Sequence, residues 1–328
     1  MKIAVLGAGA WGTALAITFA RSHAVTLWVH DAGLCATLQS ARQNQTYLPG
    51  LPFPKELTLG ADFADAVRHA DLAVVAAPLA ELRNTLRRLR LAAPALPFIW
   101  VCKGLEAGSG LLPHQVAREE MTSSAPAHGV LTGPSFAEEV ARGLPTAITL
   151  ASTDGGFART TAQALSGPQL RIYTGSDVIG AEVGGAVKNV LAIATGISDG
   201  LGLGFNARAA LITRGLAEIV RFGEALGARR ETLMGLAGMG DLILTCTGDL
   251  SRNRSVGLAL AKGKPLDAIT RDLGHVAEGV PSAREVAQRA AALNIDMPIT
   301  QAVCAVLDGR TTAAEAVREL MRRDPKDE

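Results

Sequence analysis

Paired cysteines, net charge and low-complexity sequence are all missing from this chain, and each absence removes a class of explanation. The four cysteines, Cys35, Cys102, Cys246 and Cys304, stand far apart, with no CxxC pair and no histidine ligand set beside them. That spacing argues against a zinc site and against a disulfide framework, and it points to a reducing, cytoplasmic setting. The formal charge is +1 and only 19% of residues are charged, so no net field is available to hold nucleic acid or an anionic membrane surface. A local cluster can still bind a phosphate. No internal repeat or long linker interrupts the 328 residues, 48% of which are hydrophobic, many of them alanine. Such a chain fits two domains of ordinary size with closely packed helices and short strands, and its expected partner is a small molecule.

Residues 3–20 also lack charge, the length of a marginal membrane span or of the apolar region of a signal peptide. Gly7, Gly9 and Gly12 interrupt any continuous helix there, and the segment makes better sense as a strand turning into a helix. No membrane insertion is expected.

Up to about residue 175, short apolar runs alternate with helical patterns, each run closed by glycine, proline or a polar residue. This is the rhythm of a parallel sheet covered on both faces. The expected strands are Ile3 to Leu6, Val25 to Val29, Leu57 to Leu59, Leu72 to Ala76, Phe98 to Val101, Val130 to Thr132, Ala147 to Leu150 and Leu170 to Tyr173. From Val178 onward Ala, Leu, Glu and Arg recur at helical spacing, through Glu182 to Ser198, Ala207 to Leu226, Ser255 to Ala261, Pro281 to Leu293 and Thr312 to Met321. The fold class expected is therefore α/β. An N-terminal Rossmann-type parallel-sheet domain (1–180) precedes an all-helical C-terminal domain (181–328).

Gly7, Gly9 and Gly12 have the spacing G-x-G-x-x-G, directly after an apolar strand and directly before an Ala-rich helix. In that context the first glycine permits a tight turn, the second lets a pyrophosphate approach the backbone, and the third lets helix and strand pack closely. The helix start offers unpaired N–H groups to the phosphates. At the end of the second strand, VTLWVHD sends a mixed message about the ribose. Asp31 aimed at the ribose would repel a 2′-phosphate, whereas Asp31 capping the next helix would leave His30 facing the cofactor. The reading leans towards NADPH over NADH.

Several peptides nominate themselves for the chemistry. Lys103, in CKGLE, follows the fifth strand at the carboxyl edge where ligands of open α/β sheets bind. Gly133 and Ser135, in GPSFA, follow the next strand, where they grip a polar ligand or simply turn the chain into a helix. Lys188 lies in an almost wholly apolar helical stretch, where a lysine is out of place unless it is used. Burial, and Lys103 if it lay nearby, would depress its pKa from the ordinary ~10.4 towards a value at which it accepts a proton. Otherwise its stem lies along the helix with the head in water. Asp241, in the glycine-flanked turn GMGDL, either orients the lysine or is a plain turn residue. Ser251, Arg252, Asn253 and Arg254 precede a helix and collect hydroxyl, amide and guanidinium groups suited to a phosphate. Val276, Glu278 and Gly279 begin another helix, where Glu278 complements its dipole. His23, His69, His114, His128 and His275 have no evident partner, so no histidine base is supported.

Taken in order, GAGAWGTALA, CKGLE, TGPSFAEEV, EVGGAVKNVLAIATGISDGLGLG, GMGDLILTC, SRNR and VAEG resemble one family over essentially the whole chain: bacterial-type NAD(P)-dependent glycerol-3-phosphate dehydrogenase. The resemblance implies reversible hydride transfer at C2, run as reduction of dihydroxyacetone phosphate to sn-glycerol 3-phosphate for glycerophospholipid synthesis. It implies Lys188 as general acid/base with Asp241 beside it. It places Lys103, Gly133, Ser135, Ser251, Arg252 and Asn253 around the substrate. Ala10, Trp11, His30, Lys103, Ala137, Arg252, Val276 and Glu278 would contact the cofactor, along with Gly7, Gly9 and Gly12.

Two other readings remain in view. A β-hydroxyacid or ketopantoate dehydrogenase likewise joins a Rossmann domain to helices and uses a lysine, but it has no need of SRNR at a helix start. A redox sensor that binds NAD(P) without catalysis would tolerate loss of Lys188. Base rates of oligomerisation favour a homodimer.

Overall fold

The computed structural model describes residues 1–121, 126–273 and 278–324. The chain forms two compact units, one of residues 1–103 and 111–181, the other of residues 104–110 and 182–328. The short return of 104–110 to the second unit is not visible in any change of sequence period.

The first unit is built on the strands β1 (Lys2–Leu6), β2 (Ala24–Trp28), β3 (Gln43–Asn44), β4 (Leu48–Pro52), β5 (Thr58–Gly60), β6 (Leu72–Val75), β7 (Phe98–Trp100), β8 (His128–Thr132), β9 (Thr146–Ala151) and β10 (Leu170–Gly175). Eight of them make one sheet in the order β10-β9-β8-β7-β6-β1-β2-β5. β6 and β7 are buried along their whole length, as strands covered on both faces must be. The chain runs outward from β1 to β2 and β5 and then crosses back to β6, so β1 and β6, paired in parallel, flank the switch point of the sheet.

Two departures from the expected parallel sheet occur. β9 pairs antiparallel with β8, and β10 runs parallel to β9. An apolar run records burial but not direction, so the sequence rhythm is the same either way. β3 and β4 form a separate antiparallel pair that the reading did not anticipate, because LPGLP carries the proline and glycine of a turn. The pair has a use: the buried Asn44 amide donates to Ala8 O and to Thr13 Oγ1, both at 2.9 Å, and so props the glycine loop from behind.

The second unit is helical. Helix Val178–Gly200 is followed by Gly204–Ala225, Arg230–Leu233, a π-helical turn Leu236–Gly240, Asp241–Thr247, Arg252–Ala261, Leu266–Leu273, Gly279–Ala292, Pro298–Leu307 and Ala313–Met321. The expected turn at GMGDL is thus a helical passage, closed by Gly240 N–H donating to Gly235 O at 3.0 Å, and SRNR starts its helix at Arg252 rather than after it. Helix Val178–Gly200 is long and apolar enough to cross a membrane, but 94% of its most apolar stretch is buried inside the protein.

Glycine lets that helix be touched closely. A Cβ on Gly196 would lie 2.1 Å from Arg254 O, and one on Gly257 would lie 2.1 Å from Ile193 O, so the two helix backbones meet directly. Gly184 meets Ala237 O in the same way, at 2.4 Å. Elsewhere the buried Glu218 carboxylate accepts from Ile299 N, Thr300 N and Thr300 Oγ1 and closes the start of helix Pro298–Leu307. Burial pushes this carboxyl up from its ordinary range, against the pull of those hydrogen bonds.

In the first unit the tightest approach is at Gly12, where a Cβ would stand 2.0 Å from Gly7 O, a backbone atom that cannot swing aside. Gly12→Ala should therefore destabilise the first unit by about 1–3 kcal/mol and lower its melting temperature by several degrees. Thermal unfolding followed by circular dichroism checks this, and an unchanged transition would contradict the packing described.

Candidate active site

In the first unit the glycine loop leaves β1 at the carboxyl edge of the switch point. Gly7 has φ +125°, a conformation costly for residues with a side chain, and its N–H donates to Trp28 O at 3.2 Å. Helix Ala10–Phe19 starts with Gly9 in the capping position, no side-chain cap and no acidic residue in its first turn. No atom lies within 4 Å of where a Gly9 Cβ would project. Open N–H groups beneath a surface without side chains suit a pyrophosphate, so the residues present fit a dinucleotide. Trp11 is half-buried beside them.

At the end of β2, Asp31 caps helix Ala32–Ala41 by accepting from Leu34 N at 2.6 Å, while His30 is exposed with its ring edge-on to Trp28. Of the two arrangements left open by the sequence, this is the one in which the aspartate serves the helix. Lys103 follows β7 at the limit of the first unit and is half-buried. Gly133 follows β8 with φ +136°. Ser135 does not cap the next helix: its hydroxyl donates to Gly133 O at 3.0 Å, and Phe136 precedes Ala137–Arg142 without a side-chain cap.

In the second unit Lys188 is 7% exposed, and its Nζ donates to Asp241 Oδ1 at 2.5 Å and to Thr245 Oγ1 at 3.0 Å. Asp241 and Thr245 lie one turn apart on helix Asp241–Thr247, and Thr245 Oγ1 also donates to Asp241 O at 2.6 Å. The amine thus has a counter-charge and a hydroxyl, and its head is not in bulk water. Cys246, in the same helix, is no rival nucleophile, because burial pushes its thiol up to about 12.

The neighbouring residue on the long helix extends the cluster. Asn189 Oδ1 accepts from Asn253 Nδ2 at 3.0 Å, and Asn253 Oδ1 accepts from Gly279 N at 3.0 Å, linking three helices through one buried amide pair. Ser251 caps helix Arg252–Ala261 through its hydroxyl, which accepts from Arg254 N at 3.3 Å. The two arginines of this turn differ. Arg254 is tied to Asp199 at 2.9 Å and Asp249 at 3.0 Å, and Asp199 also holds Arg208 at 2.7 Å. Arg252 is exposed and has no carboxylate partner among the described residues. Glu278 precedes Gly279–Ala292 without a side-chain capping bond; Val276 and His275 lie outside the described residues.

Three contributors escaped the sequence reading: Thr245, Asp199 and Asn44. Thr245 had a signal, since it stands four residues after Asp241 and shares its face once the segment is recognised as helix. Asp199 and Asn44 are ordinary polar residues whose partners are distant in sequence, and nothing local marks them.

Comparison with known proteins identifies the family. The family model described as NAD-dependent glycerol-3-phosphate dehydrogenase N-terminus matches residues 2–158, and the model of the C-terminus matches residues 177–318. A curated relative from Aromatoleum aromaticum, named glycerol-3-phosphate dehydrogenase [NAD(P)+], is 62% identical over 329 residues, covering 100% of both chains. The crystal structure of glycerol-3-phosphate dehydrogenase from Coxiella burnetii superposes with a TM-score of 0.94 at 41% identity, covering 98% of this chain and 99% of that one. A ketopantoate reductase from Ralstonia eutropha, at 16% identity and a TM-score of 0.62 over 97% of this chain and 100% of its own, shares the fold alone. The chain belongs to the NAD-dependent glycerol-3-phosphate dehydrogenase family.

Proposed function

We propose that Lys188 is the general acid/base of a reversible reaction at C2 of glycerol 3-phosphate, with Asp241 and Thr245 holding its amine and Arg252 receiving the phosphate. The chain is an oxidoreductase acting on the CH–OH group of glycerol 3-phosphate with NAD(P)+. The observation that carries the residue assignment is the Asn189–Asn253 hydrogen bond at 3.0 Å. Asn189 follows Lys188 and Asn253 follows Arg252, so the bond holds the two backbone segments that carry the amine and the guanidinium against each other, which supports assigning both to one site. Acid/base chemistry and phosphate recognition then act on the same small molecule.

NAD(P), when bound, supplies the two-electron redox partner for C2. As dihydroxyacetone phosphate is reduced, negative charge develops on the C2 oxygen, and the Lys188 ammonium gives that oxygen a proton and is reprotonated from water. In the reverse direction the neutral amine takes the hydroxyl proton. Asp241 stabilises the ammonium throughout, and Thr245 limits the directions in which Nζ can point. Arg252, Ser251 and Asn253 hold the phosphoryl end, where a guanidinium and helix N–H groups make charge-assisted hydrogen bonds. Lys103, Gly133 and Ser135 keep the substrate contacts, and Gly7, Gly9, Ala10, Trp11, Gly12, His30, Ala137, Val276 and Glu278 the cofactor contacts, that the resemblance gives them. The capped Asp31 and exposed His30 support NADPH as the preferred reductant. The product would supply glycerophospholipid synthesis in the cytoplasm, from a homodimer.

The test follows NADPH and NADH absorbance with dihydroxyacetone phosphate, using dihydroxyacetone and 2-keto acids as controls. Turnover should be far faster with the phosphorylated ketone, and equal rates with a 2-keto acid would favour the hydroxyacid reading. Lys188→Ala should retain cofactor binding and lose about a hundredfold or more in kcat; normal turnover would remove Lys188 from its assigned role. The ion pair also carries a stability signature. Asp241→Asn strands a buried ammonium and should cost about 3–5 kcal/mol, while Lys188→Met combined with Asp241→Leu should lie closer to the parent than either single variant. Urea unfolding of the parent, Asp241→Asn, Lys188→Met, Asp241→Leu and the double variant measures it.

A further inference from the structure

The ribose edge of the first unit contains a cation that no function above employs. Four arginines, Arg83, Arg87, Arg88 and Arg90, belong to helix Leu82–Ala92, and the Nε of Arg90 is buried without a hydrogen-bond partner among the described residues. Arg83 is bonded to Glu119 and Glu120, and Arg87 to Glu120. Arg88 is half-buried, yet no carboxylate among the described residues pairs with it. Its guanidinium lies over two rings instead, 4.8 Å from the centroid of Trp28 and 4.3 Å from that of Phe63. Cation–π contact holds such a group in place but leaves its N–H donors free for an acceptor.

Its location is defined by hydrogen bonds. Trp28 ends β2, and its Nε1 donates at 2.9 Å to Ala61 O, just beyond the end of β5. Val29 N–H donates to Gly60 O at 2.9 Å. The indole is therefore level with the carboxyl ends of both strands, and Arg88 stands there with it. The exposed His30 approaches the same indole, with ring centroids 5.6 Å apart. The two aspartates at this edge are engaged as helix caps: Asp31 accepts from Leu34 N and Asp62 from Asp65 N. An edge with an uncompensated guanidinium and an imidazole, and with its carboxylates turned to helix starts, is complementary to a phosphate monoester.

We propose that Arg88, held across Trp28 and Phe63 at the indole that His30 also approaches, binds the adenosine 2′-phosphate of NADP(H) and so sets cofactor choice. The inference rests on the reading of this unit as the nucleotide-binding one. Arg88 is a binding residue here and takes no part in proton transfer.

Arg88→Met keeps the aliphatic stem between the rings and removes the donors. It should lower the ratio of kcat/KM for NADPH to that for NADH by about tenfold or more, the worth of a hydrogen bond to a charged group. Arg88→Lys should recover part of the ratio. An unchanged ratio, or an equal loss with both cofactors as stacking on adenine would give, overturns the proposal. Calorimetric titration of adenosine 2′,5′-bisphosphate against 5′-AMP reads the same contact without turnover. The parent should bind the bisphosphate more tightly, and Arg88→Met should erase the difference. A parent that reduces dihydroxyacetone phosphate with neither cofactor defeats the functional reading, and the titration then still decides for or against Arg88.

Discussion

Lys188 sits on a helix that is almost wholly interior, and a charge there is tolerable only with a counter-charge and acceptors at hand. The geometry of the second unit meets that condition by bringing backbones unusually close. Gly184 admits the π-helical turn that ends at Gly240, and the helix starting at Asp241 then places carboxylate and hydroxyl one turn apart against the amine. Gly196 and Gly257 admit helix Arg252–Ala261, whose first turn carries Ser251, Arg252 and Asn253. Between these two contacts on the long helix, Lys188 and Asn189 hydrogen-bond to the arriving segments. A side chain at Gly184 would push apart the elements that compensate the lysine, and one at Gly196 or Gly257 would displace the turn that carries Arg252.

Much of this was readable in advance, and the failures share a cause. The eight strands of the main sheet and five helices of the second unit are marked by local periodicity, which the sequence states directly. Strand direction, the return of 104–110 to the second unit, and the β3–β4 pair depend on contacts between distant residues, which periodicity does not encode. The site divides along the same line. Lys188 was conspicuous because a lysine in an apolar helix is an anomaly of sequence alone. Thr245 was invisible because Gly238 and Gly240 read as a turn, and a turn hides the one-turn spacing that puts Thr245 beside Asp241.

The SRNR turn shows why a motif should be resolved into individual side chains. As sequence it offers two guanidinium groups for one phosphate. In the structure Arg254 is neutralised by Asp199 and Asp249, and Asp199 simultaneously fixes Arg208 from the next helix. Arg254 is therefore a fastener between the end of helix Val178–Gly200 and the start of Arg252–Ala261, and its charge is already satisfied. Arg252, two residues earlier, has no carboxylate partner among the described residues and lies at a helix start, where a cation is electrostatically out of place unless an anion joins it.

The same contrast recurs on helix Leu82–Ala92, where Arg83 and Arg87 are closed by Glu119 and Glu120 while Arg88 lies over two rings with no carboxylate partner among the described residues. In both places an arginine within two turns of the exception shows that carboxylates were within reach of the helix, so the exception is not a shortage of acidic residues. A guanidinium positioned by packing but denied an internal anion keeps its donors for a ligand that arrives with its own charge. Fold-level likeness cannot supply this distinction, since a fold by itself does not specify its ligand. On the assignments proposed for Arg252 and Arg88, specificity for phosphorylated ligands resides in which cations the chain leaves uncompensated.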